Sequence, residues 1–153
     1  MWYSLLQRRP SPIVHGTEQW YDLELLIEQQ RCCYVVDAFA DVSTLGSGNP
    51  AGVVPLDEEC SDAEWMQVVA REFNHAETAF LWRLPQRDSE FEIHYRIRYF
   101  TPTIEVALCG HATLAAAAAL YENGTDNHKD IVFHAERDTL KASRYALTIP
   151  RYQ

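Results

Sequence analysis

The stretch from Cys109 to Tyr121 reads CGHATLAAAAALY, and it decides the architecture of the chain. Alanine and leucine are strong helix formers, so the run after Gly110 predicts a helix over residues 111–121. Almost no polar residue occurs on any face of that helix, and a helix that is apolar all round must be buried. We therefore expect this helix at the centre of the fold, enclosed by strands.

Strand-like segments occur on both sides of the central helix. The apolar run YVVDAFA from Tyr34 predicts a buried strand, and TAFLW from Thr78 to Trp82 predicts another. In FEIHYRIRYF, apolar residues from Phe91 to Tyr99 alternate with polar ones, which is typical of a strand with one face in water. IVFHAE, TLKAS and YALTIP predict short strands after the helix. The expected fold class is α+β, with a curled, barrel-like mixed β-sheet wrapped around a central buried helix.

An amphipathic helix is predicted to begin at Ser61, because Ser61 and Glu64 form an S-x-x-E capping box. Asn74 and His75 are expected to end it. One apolar face is predicted for this helix, made of Trp65, Val68, Val69 and Phe73.

The chain divides into an extension and one domain. Residues 1–31 are interpreted as an N-terminal extension of unclear structure, with a short amphipathic helix suggested from Glu18 to Gln30. Residues 32–153 are interpreted as one globular domain, consistent with a chain of 153 residues that is 47% hydrophobic and 23% charged.

Charge and cysteine content restrict the partners and the compartment. The formal net charge of -9 argues against a nucleic-acid or acidic-membrane surface, since both require an excess of Lys and Arg. The four cysteines show no disulfide-rich density and no C-x-x-C spacing, which favours a reducing cytoplasm. No segment approaches the roughly 20 apolar residues of a membrane span. A cytoplasmic protein is expected.

No metal or cofactor site is predicted. His94 and His134 lie on predicted strands without partners at metal-ligand spacing. The glycines lack the strand-turn-helix spacing of phosphate or dinucleotide loops, so no cofactor is expected.

Three segments, in order, resemble the N-terminal half of PhzF-like (phenazine biosynthesis-like) proteins: YVVDAFAD with GNPAGVV, AREFNHAETAFL, and RIRYFTPTIEVALCGHATLAAA. Together they cover about residues 34–150. The resemblance implies a diaminopimelate epimerase-like fold, in which two similar halves each wrap a sheet around a central helix and the active site lies between them. It also implies a cofactor-independent isomerase that shifts a proton between carbons of a small carboxylate-bearing substrate.

The resemblance assigns the catalytic role of general acid/base to Glu77, in AETAF. A carboxyl group partly withdrawn from water has a raised pKa and can both take and return a proton. Without the resemblance, a single Glu after a helix would be interpreted as a solvated surface residue. The serine that is frequent before this glutamate in the family is Ala76 here.

The GHAT segment resembles the substrate-binding turn of the family. His111 is predicted to be catalytic and substrate-binding, as a hydrogen-bonding or proton-relaying group, although a helix-capping role is the structural alternative. The N–H groups at a helix start suit a substrate carboxylate, and Gly110 would let that substrate approach the backbone.

Cys109 and Asn49 complete the predicted substrate-binding set. The related epimerases use a cysteine in a similar turn as an acid/base, but a cysteine beside an apolar helix is more often a small core residue. Asn49 matches a family position near the cleft, and the loop-forming habit of Gly-Asn-Pro explains it equally well.

Two classes of function remain open from the sequence. Family members are about twice as long, so the C-terminal half of the family fold is expected to be absent from this chain. One reading is an isomerase that completes its site by association with a second copy or with a C-terminal half. The other is a catalytically silent half-domain that acts as an interaction module.

Overall fold

The computed structural model describes residues 32–41, 43–44, 46–124, 129–144 and 146–148. The extension predicted over residues 1–31, including its helix from Glu18 to Gln30, lies outside the described residues.

The described residues form one mixed sheet of eight strands, in which the spatial order is β1-β2-β3-β4-β6-β7-β8 and β5 pairs with β4. The β2–β3 and β4–β6 pairs are parallel, and the other pairs are antiparallel. The strands span Tyr34–Ala38 (β1), Asn49–Leu56 (β2), Glu77–Arg83 (β3), Glu92–Phe100 (β4), Glu105–Val106 (β5), Asp130–His134 (β6), Thr139–Ser143 (β7) and Ala146–Thr148 (β8).

Two α-helices make the connections between the parallel strands. Helix α1, Ala63–Phe73, joins β2 to β3, and helix α2, Gly110–Glu122, lies between β4 and β6. The two helices cover opposite faces of the sheet. α1 packs with Phe80 and Phe100, whereas α2 packs with Ala79 and Tyr99. The segment TAFLW in β3 is therefore fully buried, because alternate side chains meet different helices.

The central position of α2 confirms the expected α+β architecture. α2 contacts β1, β2 and β3 from one part of the sheet and β7 from another, so the sheet curls around the helix. Between Ala112 and Leu120, only Leu114 and Ala118 are partly exposed. The buried residues of α2 are Ala112, Thr113, Ala115, Ala116, Ala117, Ala119 and Leu120.

The N-terminal cap of α1 differs from the sequence prediction. Asp62, not Ser61, caps the helix, because its Oδ1 accepts a hydrogen bond of 2.9 Å from the N–H of Trp65. The two residues are adjacent and both are good caps, so the pattern alone placed the start one residue early. Asn74 ends the helix, as predicted, and it adopts the left-handed conformation.

Four apolar residues for which burial was predicted are exposed: Val35, Phe39, Val68 and Phe91. In β1, Val35 is 54% exposed, so this strand is only partly buried. In α1, Val68 is 46% exposed, and the buried positions are Met66, Val69 and Ala70. Phe91 precedes β4 instead of belonging to it and is largely exposed. These errors arise because the apolar pattern of a segment does not show how much of the segment its neighbours cover.

Within the described ranges, no helix combines the length and the apolar character that a membrane span requires.

Candidate active site

One edge of the sheet brings the predicted site segments together. Ala51 near the start of β2 pairs with Glu77 at the start of β3, and Thr78 pairs with Phe100 at the end of β4. Because β6 is parallel to β4, α2 must start at the edge where β4 ends. The starts of β2, β3 and α2 therefore lie at the same edge.

Glu77 is partly buried and lacks a partner for one carboxyl oxygen. It is the first residue of β3, directly after the turn that ends α1. Its Oε2 is buried without a hydrogen-bond partner among the described residues. Burial raises the pKa of Glu77 above its ordinary value of 4.5, because the ionised carboxylate loses water. Such a carboxyl group is closer to balance between its acidic and basic forms near neutral pH.

His111 and Cys109 are in direct contact at the start of α2. Cys109 Sγ lies 3.1 Å from His111 Nδ1. His111 Nε2 is buried without a hydrogen-bond partner within the described part of the chain. Burial lowers the pKa of His111, so its ring is neutral at pH 7. A neutral imidazole offers one nitrogen as donor and the other as acceptor.

The charge of Glu77 affects the pKa of the Cys109 thiol. Burial is the main cause of the raised pKa of Cys109, and the negative charge of Glu77 raises it further. The N–H groups of Ala112 and His111 act in the opposite direction. Cys109 thus contacts His111 directly, and the charge of Glu77 contributes to its raised pKa.

Gly110 and Asn49 occupy accessible positions. Gly110 is exposed, and a Cβ built on it would meet no atom within 4 Å, so its backbone can be approached closely. Asn49 is exposed and pairs with Ala38 as the first residue of β2, where the sequence was interpreted as a loop. The roles of Glu77, His111, Cys109, Gly110 and Asn49 in catalysis and substrate binding stay predictions.

The sequence analysis missed a contact between two histidines. His94 Nδ1 lies 2.9 Å from His134 Nε2, with ring planes 15° apart. Adjacency of β4 and β6 produces the contact, and it requires the parallel pairing that no local pattern reveals. No group of three or more metal-ligating side chains occurs among the described residues.

The site residues lie within a region that matches a known family. The family model described as phenazine biosynthesis-like protein matches residues 36–146. The chain belongs to the phenazine biosynthesis-like protein family.

The chain is similar to members of this family in both sequence and structure. An uncharacterized isomerase of Pseudomonas aeruginosa is 45% identical over 109 residues, which cover 71% of this chain and 38% of the relative. Phenazine biosynthesis-like domain-containing protein 2 of Mus musculus is 40% identical, with 72% and 38% covered. A crystal structure of a phenazine biosynthesis protein of the PhzF family from Enterococcus faecalis has a TM-score of 0.60 at 36% identity, covering 73% of this chain and 39% of that one.

The matches cover most of this chain but less than half of each relative. The chain spans about two fifths of the length of these relatives, between 38% and 39%.

Proposed function

We propose that this chain provides the acid/base wall of a cofactor-independent isomerase that moves a proton between carbon atoms of a small carboxylate-bearing metabolite. One observation carries the proposal, the partly buried Glu77 carboxyl group with an unpartnered oxygen and a raised pKa. The isomerase names of the relatives support the same class of reaction.

Proton transfer assigns two tasks to Glu77. Its carboxylate takes a proton from one substrate carbon, and the resulting carboxylic acid returns a proton to another carbon of the same molecule. No net oxidation or reduction occurs. A raised pKa suits both steps, because a general acid/base is most effective when its pKa lies near the working pH.

The start of α2 is the proposed binding position for the substrate carboxylate. The first N–H groups of a helix have no acceptors within the helix and attract anions. Gly110 leaves this end open, and neutral His111 can donate or accept one hydrogen bond there. The substrate's reacting carbons would then lie toward Glu77.

A second protein surface is proposed to complete the site. Apolar side chains are exposed beside it: Phe39 (70%) follows β1, and Ile104 (59%) and Leu108 (37%) lie between β4 and α2. Exposed apolar patches beside a polar site are typical of surfaces that bind another protein surface. A C-terminal half like that of the longer relatives is the proposed occupant, and a second copy is the alternative.

We expect little or no turnover by this chain alone. Proton transfer between carbons needs water to be excluded from the carboxyl group and the substrate, and one wall cannot do this. The test is deuterium exchange from D2O into small cyclic and α-amino carboxylates, followed by NMR. Exchange is measured for the chain alone and after addition of the C-terminal half of the Pseudomonas aeruginosa relative.

Two variants test whether any exchange depends on Glu77. Glu77→Gln should abolish any exchange that the completed assembly shows, whereas Glu90→Gln, at an exposed turn, should not. Exchange by the wild-type chain alone, lost in Glu77→Gln, would contradict the need for a second wall. Tight association with the added half, without exchange of any substrate, would favour the interaction module.

A further inference from the structure

Two buried hydroxyl groups form a hydrogen-bonded chain beneath the start of α2. Tyr99 Oη lies 2.5 Å from Thr113 Oγ1, and Thr113 Oγ1 lies 2.7 Å from the carbonyl oxygen of Cys109. Tyr99 and Thr113 are both 0% exposed. The chain connects β4, in the wall of the sheet, to the turn that bears the candidate site.

The direction of these hydrogen bonds follows from the atoms involved. A carbonyl oxygen only accepts, so Thr113 donates its single hydroxyl proton to Cys109. Tyr99 must then donate to Thr113 Oγ1. Burial is the main cause that raises the pKa of Tyr99, so the phenol stays protonated and remains a donor.

The carbonyl of Cys109 is held by two bonds. Besides the Thr113 hydroxyl, the N–H of Thr113 donates to it at 3.1 Å. Two donors use both lone pairs of this oxygen, which fixes the plane of the peptide between Cys109 and Gly110. Cys109 is the N-cap residue of α2 but makes no side-chain cap hydrogen bond. The orientation of this turn therefore depends on groups outside the cap residue itself.

We propose that Tyr99 and Thr113 are positioning residues that hold the Cys109–Gly110 peptide so that the Cys109 thiol and the His111 imidazole face the site of Glu77. The importance of this orientation for catalysis rests on the proposed function, but the hold on the turn can be measured without a substrate.

Tyr121 provides a matched control at the opposite end of the same helix. Its hydroxyl donates to the carbonyl oxygens of Lys129 at 3.0 Å and Ala142 at 3.1 Å. Tyr121→Phe removes a tyrosine hydroxyl, as Tyr99→Phe does, but at the end of α2 that is far from Cys109.

The experiment measures alkylation of Cys109 by iodoacetamide at fixed pH in the folded chain, with mass spectrometry resolving each cysteine. Cys109 is partly buried, so movement of the turn that exposes its thiol should increase the rate of reaction. Thr113→Val removes the hydroxyl that bonds to the Cys109 carbonyl, and Tyr99→Phe removes the bond that orients this hydroxyl. Each variant should raise the rate about fivefold. Thr113→Ser, which keeps the hydroxyl, and Tyr121→Phe should stay within about twofold of wild type.

Cys60 packs against the other core cluster and is measured in the same samples as a comparison outside the turn. A rise at Cys109 alone supports the proposal. The proposal is overturned if Cys60 rises equally, if Tyr121→Phe matches Tyr99→Phe, if Thr113→Ser behaves as Thr113→Val, or if no variant changes the rate. If the wild-type chain with the added C-terminal half does not exchange deuterium, the proposed function is contradicted. The alkylation rates would still test the hold on the turn.

Discussion

Glu77 destabilises the folded chain while it is ionised, because its carboxylate loses water and Oε2 gains no partner among the described residues. A raised pKa in the folded state means that folding favours the protonated form. The contribution of this group to stability is therefore most favourable at low pH and worsens as pH rises from 4.5 through the folded pKa.

Glu77→Gln should raise the melting temperature near neutral pH, because the substitution removes a partly buried charge. The gain should vanish below pH 4.5, where the wild-type carboxyl is protonated as well. Thermal unfolding over a pH series checks this, with Glu90→Gln as the exposed control. A lower melting temperature at neutral pH would show that the carboxylate has a stabilising partner.

Sequence motifs predict roles for Glu77 and for Cys109–His111, but they do not reveal the groups that hold the turn. Tyr99 was interpreted as an apolar position in an alternating strand, which its burial confirms. The hydrogen bond of its hydroxyl to Thr113 depends on how β4 lies against α2, and local sequence does not contain that geometry.

At the scale of elements, the adjacent residues Ser61 and Asp62 can be compared directly as caps of α1. Asp62→Ala should lower the free energy of unfolding by about 1 kcal/mol, since the N–H of Trp65 loses its acceptor. Ser61→Ala should have almost no effect, because the Ser61 side chain does not cap the helix. Urea denaturation of both variants measures the difference. A larger loss of stability for Ser61→Ala would show that the predicted capping box of Ser61 and Glu64 forms instead.

Helix α2 should be the least tolerant element. Ala117 is 3% exposed, so Ala117→Asp places an unpaired charge in the core, at a cost of several kcal/mol that should unfold the domain. Ala118→Asp, at the partly exposed neighbouring position, should remain folded. Circular dichroism distinguishes the two outcomes. A folded Ala117→Asp chain would contradict the enclosure of the helix.

The sequence was most informative about the position of α2, because a helix that is apolar on every face has to be enclosed by other elements. It was less informative for α1. Here Val68 fits the apolar period but faces solvent, since α1 is covered on one side only. Periodicity predicts which face is apolar, whereas the width of the covered strip depends on the neighbouring elements.

At the scale of the whole molecule, the order of strands could not be predicted from local pattern. The parallel pairs β2–β3 and β4–β6 are created by the crossing helices, and they bring His94 beside His134. The resemblance implied the overall fold, and the similarity to solved structures confirms it.

The contribution of His111 and His134 to stability should fall as the solution is acidified below pH 6.5, opposite to that of Glu77. Burial is the main cause that lowers the pKa of His111 and of His134, so the unfolded chain binds protons more readily than the folded one. Their stabilising contribution is present above 6.5 and is lost as pH falls through the lower folded pKa values. His134→Gln should reduce this slope in urea titrations. An unchanged slope would show that His134 is not involved.

The enclosure of α2 also determines when the chain can fold during synthesis. The helix has contacts with β1, β2 and β3, which precede it, and with β7, which follows it. A ribosome-bound chain ending near residue 124 would have the complete helix but not Leu140 or Ala142, which belong to its core cluster. Its apolar surface would stay open until β7 emerged, so a chaperone would encounter it before the sheet closed. Native packing around the alanines therefore requires β7 to have been synthesised as well.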